Sequence, residues 1–221
     1  MTIADLPVPG ATIQFELSGQ GPPLLLIPGG AGDAGVFGPM AADLAAHYTV
    51  VGMYSRLASP GSAAGGEQSP ATHADDAVRL LDGLFDDPVR VFASSSGAIT
   101  ALRLAADRPD RIRLAVLHEP PLVNLLPDAE YARQQLAKVR TVVRATGTAE
   151  AMSILAEVMT DRGPAEAPPR VRRFGDWPTD AADSEAEPPT AGMTEVFARL
   201  GRLQAAFLEH ILVPFATDTP D

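Results

Sequence analysis

The first half of the chain switches between short apolar runs and helix-spaced apolar stripes. In "ATIQFEL" (11–17), Ile13, Phe15 and Leu17 recur two residues apart, which predicts a half-buried strand, and "GQGPP" turns the chain after it. "LLLIPGG" (24–30) is an unbroken apolar run stopped by proline and glycine, as expected of a strand covered on both faces. Val36, Phe37, Met40 and Leu44 follow at helical spacing, and "YTVVGMY" (48–54) is a second buried strand. Ser69 is placed to cap a helix that has Pro70 at its first position and Ala77, Leu80, Leu81 and Leu84 along its inner stripe. "VRVFA" (89–93) predicts a further strand, Ala98, Ile99, Leu102 and Ala105 a helix, and "IRLAVLHEPP" (112–121) a strand closed by prolines. Strands and helices alternating at this length build an α/β fold, a mostly parallel sheet covered by helices on both faces.

The pattern changes after residue 122. Residues 129–145 carry a stripe of Leu136, Val139 and Val143, and residues 149–160 one of Met152, Leu155 and Met159. A last helix from about Thr194 carries Val196, Leu200, Leu203, Phe207 and Ile211 and runs to "VPF". Between them, residues 162–189 are rich in proline and acid, which predicts a loop. Helices without intervening strands are expected to lie as a lid over the sheet. The chain therefore divides into a core, 1–122, and a helical lid, 123–221, with the acidic loop inside the lid.

Charge and composition narrow the chemistry. A formal net charge of −11 argues against nucleic acid or anionic membrane surfaces as partners, since both need clustered Lys and Arg. There is no cysteine, hence no disulfide or thiol chemistry. No histidine or acidic cluster has metal-ligand spacing, and no cofactor is expected. The opening "MTIADLPVPG" lacks the basic and apolar regions of a secretory signal, and no apolar run approaches the length of a bilayer span. A cytoplasmic location and a small-molecule partner are the expectation.

The serines of "VRVFASSSGAIT" (89–100) carry the candidate chemistry. A buried strand, a tight turn bearing serine and then a helix make a nucleophile elbow. Its neighbours two before and two after the serine must be small, because the turn presses backbone on backbone. Ser94 would have Phe92 there, and Ser96 stands one residue too deep in the helix. Ser95 has Ala93 and Gly97, so it is the candidate nucleophile, against the alternative of an ordinary Ser–Gly turn. Acyl transfer also needs backbone N–H groups facing the developing oxyanion. The glycine-rich "PGGAGD" (28–33) is placed to supply one, and the N–H of Ser96, at the positive end of the next helix, another. Read as a phosphate cradle, the same loop lacks both the Lys-Ser/Thr ending and the GxGxxG spacing.

Together, "LLLIPGGAGDAGVF", "YSRLASPGS", "HADDAVRLLDGL", "VFASSSGAITALRLAADRPDRIRLAVLHEPPL" and "FLEHILVPF" resemble the α/β-hydrolase fold family over essentially the whole chain. The likeness is to lid-bearing bacterial hydrolases with "HEPP" after the sixth strand. It implies Ser95 as nucleophile, Gly30 and Ser96 as the oxyanion hole, a lid from about 123 to 214, and action on a small ester, lactone or related carbonyl compound.

This chain departs from the family pattern at several positions. Relatives usually have Gly where Ala93 stands and "YDRRGxGxS" where this chain reads "YSRLASPGS". Ser55, Leu57 and Ala58 thus replace an Asp, an Arg and a Gly in the loop that braces the site. Relatives also continue past the lid with elements that carry the catalytic acid and histidine, whereas this sequence stops at "FATDTPD". The resemblance therefore implies that the usual general base is missing. Of the histidines present, His47 is read as structural or on the surface, His73 as across two strands, and His210 as part of the last helix, from which it could fold over the site. His118, ending the strand beside Ser95, is nearest by topology, since neighbouring strands lie about 4.8 Å apart. It is the candidate substitute base and Glu119 the candidate acid, against plain roles at a strand end and the lid entry. Asp75 and Asp76 are read as favourable charges in the first turns of their helix.

The alternative to an enzyme is a non-catalytic or truncated homologue acting as a binding or assembly module. In either case the strand at 112–118 would end the sheet. Its unpaired backbone makes self-association through that edge an expected property.

Overall fold

The computed structural model describes residues 1–62, 65–160 and 191–219, so the acidic loop expected at 162–189 lies outside the described residues. Six strands form one sheet: β1 (Thr2–Val8), β2 (Ala11–Ser18), β3 (Pro23–Ile27), β4 (Thr49–Met53), β5 (Val89–Ser94) and β6 (Ile112–His118). Their spatial order is β1-β2-β4-β3-β5-β6. The first two joints, β1–β2 and β2–β4, are antiparallel, and the four strands from β4 to β6 run parallel. β1 is an addition to the sequence reading. It carries Pro7, which an edge strand tolerates because one side of its backbone needs no partner. Gly10, at φ 75°, makes the turn into β2.

The parallel strands are joined by α1 (Gly38–Leu44, after a 3-10 turn at Ala34–Phe37), α2 (Pro70–Leu84) and α3 (Ser96–Asp107). α2 starts as its sequence predicts, with Ser69 Oγ accepting from the Thr72 N–H at 3.1 Å and Pro70 in the first position. Leu80 and Leu81 of α2 and Ala98 and Leu104 of α3 pack with Leu25, Val51 and Val91 in one core. Phe37 and Met40 pack in another with Leu24, Leu26 and Val50. On β6, Leu114 and Val116 stay 56% and 51% exposed.

Four further helices form a second core: α4 (Ala129–Ala145), α5 (Thr148–Thr160), α6 (Ala191–His210) and α7 (Leu212–Ala216). Leu136, Val139, Leu155, Leu208 and Leu212 are buried in it. The sequence reading runs α6 and α7 together, but the structure separates them at Ile211. Pro214 has no N–H to donate to the His210 carbonyl and its ring crowds that oxygen, so the helix must restart. Ile211 and Phe215 then pack against Ile99 of α3, which seats the helical layer on the sheet domain next to the β5–α3 turn. Among the described residues, no helix is long and apolar enough to cross a membrane.

Candidate functional site

Ser95 lies between β5 and α3 with φ 51° and ψ −125°. A positive φ on a residue with a side chain is strained, by about 1–3 kcal/mol, and persists only where its surroundings fix it. Here the Ser95 N–H donates to the His118 carbonyl at 2.9 Å, and the Ser95 carbonyl accepts from the Ala98 N–H at 2.9 Å. Two glycines permit the close approach. A Cβ on Gly97 would lie 2.4 Å from the carbonyl oxygens of both Ile27 and Pro28, and one on Gly29 would lie 2.7 Å from the Ser95 Cβ. The small residue required two places after the serine is thus the one that lets α3 press against the end of β3.

The glycine loop after β3 is tied to this turn. Gly30 has φ 60°, the Gly32 N–H donates to the Gly29 carbonyl at 3.0 Å, and Ser96 Oγ donates to the Gly30 carbonyl at 3.1 Å. Ser96 is the first residue of α3, so its N–H belongs to the unpaired, electropositive end of that helix.

Behind the loop stands a polar brace that sequence reasoning missed. Asp33 is fully buried and accepts from the Gly35 N–H at 2.9 Å. Arg199 of α6 meets its carboxylate with Nε and with Nη2, the latter at 2.6 Å. The same guanidinium lies 5.3 Å over the Tyr54 ring. The Tyr54 hydroxyl bonds to the Glu16 carboxylate, and burial, then Glu16, holds the phenol well above its ordinary range. Ser55 Oγ donates to the Ala31 carbonyl and accepts from the N–H groups of Leu57 and Ala58 at 3.1 Å. At this departure from the family pattern, the Ser55 hydroxyl closes the segment.

Asp76 also differs from expectation. It is no helix-end charge on the surface but a fully buried carboxylate gripped by Arg56 Nε and, at 2.7 Å, by Nη2. Burial raises its carboxyl above the usual value against the opposing pull of Arg56. Asp75 pairs with Arg79 at 3.0 Å on the exposed side. His73 is buried, with Nε2 3.2 Å from Gln68 Oε1 and its ring edge-on to Phe215 at 5.0 Å. Burial, then the Arg56 charge, pushes its pKa down to about 4, so it is neutral at pH 7. It borders a small cavity of about 20 Å³ shared with Gly30 and Ser96 but not with Ser95.

Ser95 opens instead onto a larger cavity of about 870 Å³ between the strand ends and the helical layer. Its walls include Leu126, Leu136, Leu155, Val158, Phe207 and Leu212. Gly30, Ser96 and Glu119 share the lining, so the structure brings four of the five candidate site residues together. His118 is the exception. Its carbonyl holds the Ser95 N–H, but its exposed side chain continues the alternation of Leu114 and Val116 along β6. Among the described residues, the Ser95 hydroxyl makes no hydrogen bond and no imidazole lines the cavity. Of the remaining histidines, His47 is exposed, and His210 takes part through its carbonyl, which accepts from the Gln68 N–H at 2.9 Å.

The chain is similar to known proteins. The sequence profile of the alpha/beta hydrolase fold matches residues 22–196. The uncharacterized hydrolase YraK of Bacillus subtilis (strain 168) is 36% identical over 158 residues, which are 71% of this chain and 58% of that protein. A zearalenone hydrolase of Bionectria ochroleuca is 30% identical over 141 residues, 59% of this chain and 52% of that protein. The chain thus spans about half the length of the curated relatives it matches. Among solved structures, a hydrolase from Pseudomonas aeruginosa PA01 is similar with a TM-score of 0.65 at 19% identity, covering 98% of this chain and 73% of that one. With the profile running through the four parallel strands, the glycine loop, the strained serine turn and the helices α4 and α5, this chain belongs to the α/β-hydrolase fold family.

Proposed function

We propose that Ser95 is the nucleophile of a serine hydrolase acting on a small ester, lactone or related carbonyl compound beneath the helical lid, with the N–H groups of Gly30 and Ser96 as the oxyanion hole. The observation that carries this reading is the Ser95 backbone at φ 51°, held strained at the mouth of an apolar cavity. In the reaction, Ser95 Oγ forms a bond to the carbonyl carbon, the carbonyl electrons move to the oxygen facing the two N–H groups, and the leaving alcohol departs with a proton. Water then releases the acyl group and restores the serine. Two relatives are named as hydrolases, in keeping with this chemistry.

The serine proton needs an acceptor, and no described imidazole is hydrogen-bonded to Ser95. The oxyanion hole and binding alone are worth about 10³–10⁴-fold over water. That observation also favours a second reading, in which the cavity binds without turnover. Labelling with a fluorophosphonate separates the two. Slow modification confined to Ser95 and abolished by Ser95→Ala supports the hydrolase. No modification after long incubation supports the binding module. Fast modification overturns the inference that a base is lacking, and His118→Ala then shows whether that imidazole supplies it.

A further inference from the structure

We infer that this site takes neutral carbonyl compounds bearing one long apolar arm and rejects anionic ones, and that Glu119 is the residue that sets the second preference. The inference rests on the reading of Ser95 only for where the carbonyl sits. The preferences themselves come from the walls.

Beyond Gly30, the two serines and Glu119, the cavity is lined by apolar side chains from the segment 120–126 and from α4, α5, α6 and α7. At about 870 Å³ it is large for a short acyl group and falls in the range that buries most of a drug-sized ligand, about 300–1,000 Å³. Each methylene moved from water into such walls tightens binding by about fourfold until the space is filled. Among the described residues, no Lys, Arg or His lines the cavity. An anionic group entering it would lose hydration and find no cation among the described lining residues in return.

Glu119 adds repulsion to that penalty. It is the one charged side chain in the described lining, and it is exposed, so its carboxylate stays hydrated. Its backbone, at φ 49°, is the second strained non-glycine position among the described residues. The residue before it is anchored by the bond from the Ser95 N–H to the His118 carbonyl, and Pro120 and Pro121 follow with fixed φ. Glu119 therefore cannot withdraw by a backbone shift without disturbing the serine turn. At a partly wet site, a like charge sharing the cavity is worth about tenfold in affinity.

The test is binding to the Ser95→Ala chain, where turnover is removed. Nile red seated in the cavity is displaced by 2-undecanone, by the shorter 2-heptanone and by decanoate, whose alkyl chain equals that of undecanone. Undecanone should displace the dye far better than heptanone, and at least tenfold better than decanoate. Glu119→Gln should narrow the decanoate gap and leave the ketones unchanged. Met159→Lys, at a lining position that is 72% exposed and so tolerant of charge, should bring decanoate in. Equal affinity for decanoate and undecanone, no dependence on chain length, or an unchanged gap in both variants would overturn the inference. Ketone preference without fluorophosphonate labelling in the parent chain removes only the hydrolase reading. Labelling at Ser95 without ketone preference removes only this one.

Discussion

Arg199 is the sole described guanidinium on Asp33, and replacing it with Met keeps most of the apolar stem while removing the charge. The Asp33 carboxylate would then remain fully buried with the Gly35 N–H as its partner. Two limits bracket the consequence. Removing one member of a fully buried pair costs about 3–5 kcal/mol, because the other charge is left uncompensated. Exposed pairs are worth about 0–1 kcal/mol. Asp33 is 0% exposed and Arg199 30%, so water reaches one side of the pair only. The expected loss is about 2–3 kcal/mol, between those limits. Against a domain stability of about 5–15 kcal/mol this is large, and at usual urea sensitivities it lowers the midpoint by about 1 M.

Urea unfolding followed by circular dichroism, in a cycle of Arg199→Met, Asp33→Asn and the double variant, isolates the pair. The double variant should recover most of the loss, because two neutral groups carry no buried charge. A separate early transition in Arg199→Met alone would mean that the helical layer opens first, which is the same prediction read locally. A midpoint equal to the parent's, with coupling under about 0.5 kcal/mol, would show that α6 is not held by this pair and refute the argument.

Three further outcomes are expected. Gly97→Ala should destabilise by about 3 kcal/mol or more in the same urea assay, since its Cβ meets two backbone carbonyls at 2.4 Å and neither is free to yield; a loss under 1 kcal/mol would mean that the turn relaxes. His73 ionises near 6.5 when unfolded and near 4 when folded, so unfolding takes up a proton between those values. Stability should then be constant from this group above about pH 6.5 and fall by about 3 kcal/mol as the pH drops to 4, a slope that His73→Gln should remove. Finally, β6 is an edge of the sheet among the described residues, and antiparallel pairing with a second copy centred on Ala115 would set Leu114 opposite Val116 of the partner subunit. Sedimentation should show a concentration-dependent dimer that Val116→Lys abolishes, and a parent chain that stays monomeric at high concentration would refute the pairing.

What could be read from the sequence divides along a physical line. The Ser95 turn was legible because its requirements are local: a strand, a helix and a residue with no Cβ at position 97, all within a few bonds of the serine. The break at Ile211 was equally local, since Pro214 announces it, but the apolar stripe continues across it and masks the signal. The Asp33–Arg199 pair joins positions far apart in the chain, as do Tyr54 with Glu16 and Arg56 with Asp76. Nothing near Asp76 distinguishes a buried carboxylate from an ordinary charge early in a helix; only the fold brings Arg56 to it. β1 was hidden for a related reason, because an edge strand answers to its neighbour's backbone more than to its own apolar pattern.

His118 and Glu119 show why site residues at a strand end resist reading. Both follow "RLAVL", and both look equally able to face the serine. The pleat sends His118 outward with Leu114 and Val116, and one further regular step would leave Glu119 in line with the rest of the strand. The chain instead takes φ 49° at Glu119, a conformation that glutamate seldom adopts and that its residue type does not advertise. That single dihedral decides which of two neighbouring ionisable groups shares the cavity with Ser95. The His118 imidazole is turned away and Glu119 lines the cavity, so which of the two neighbours shares the site follows from a backbone angle rather than from the order of the residues.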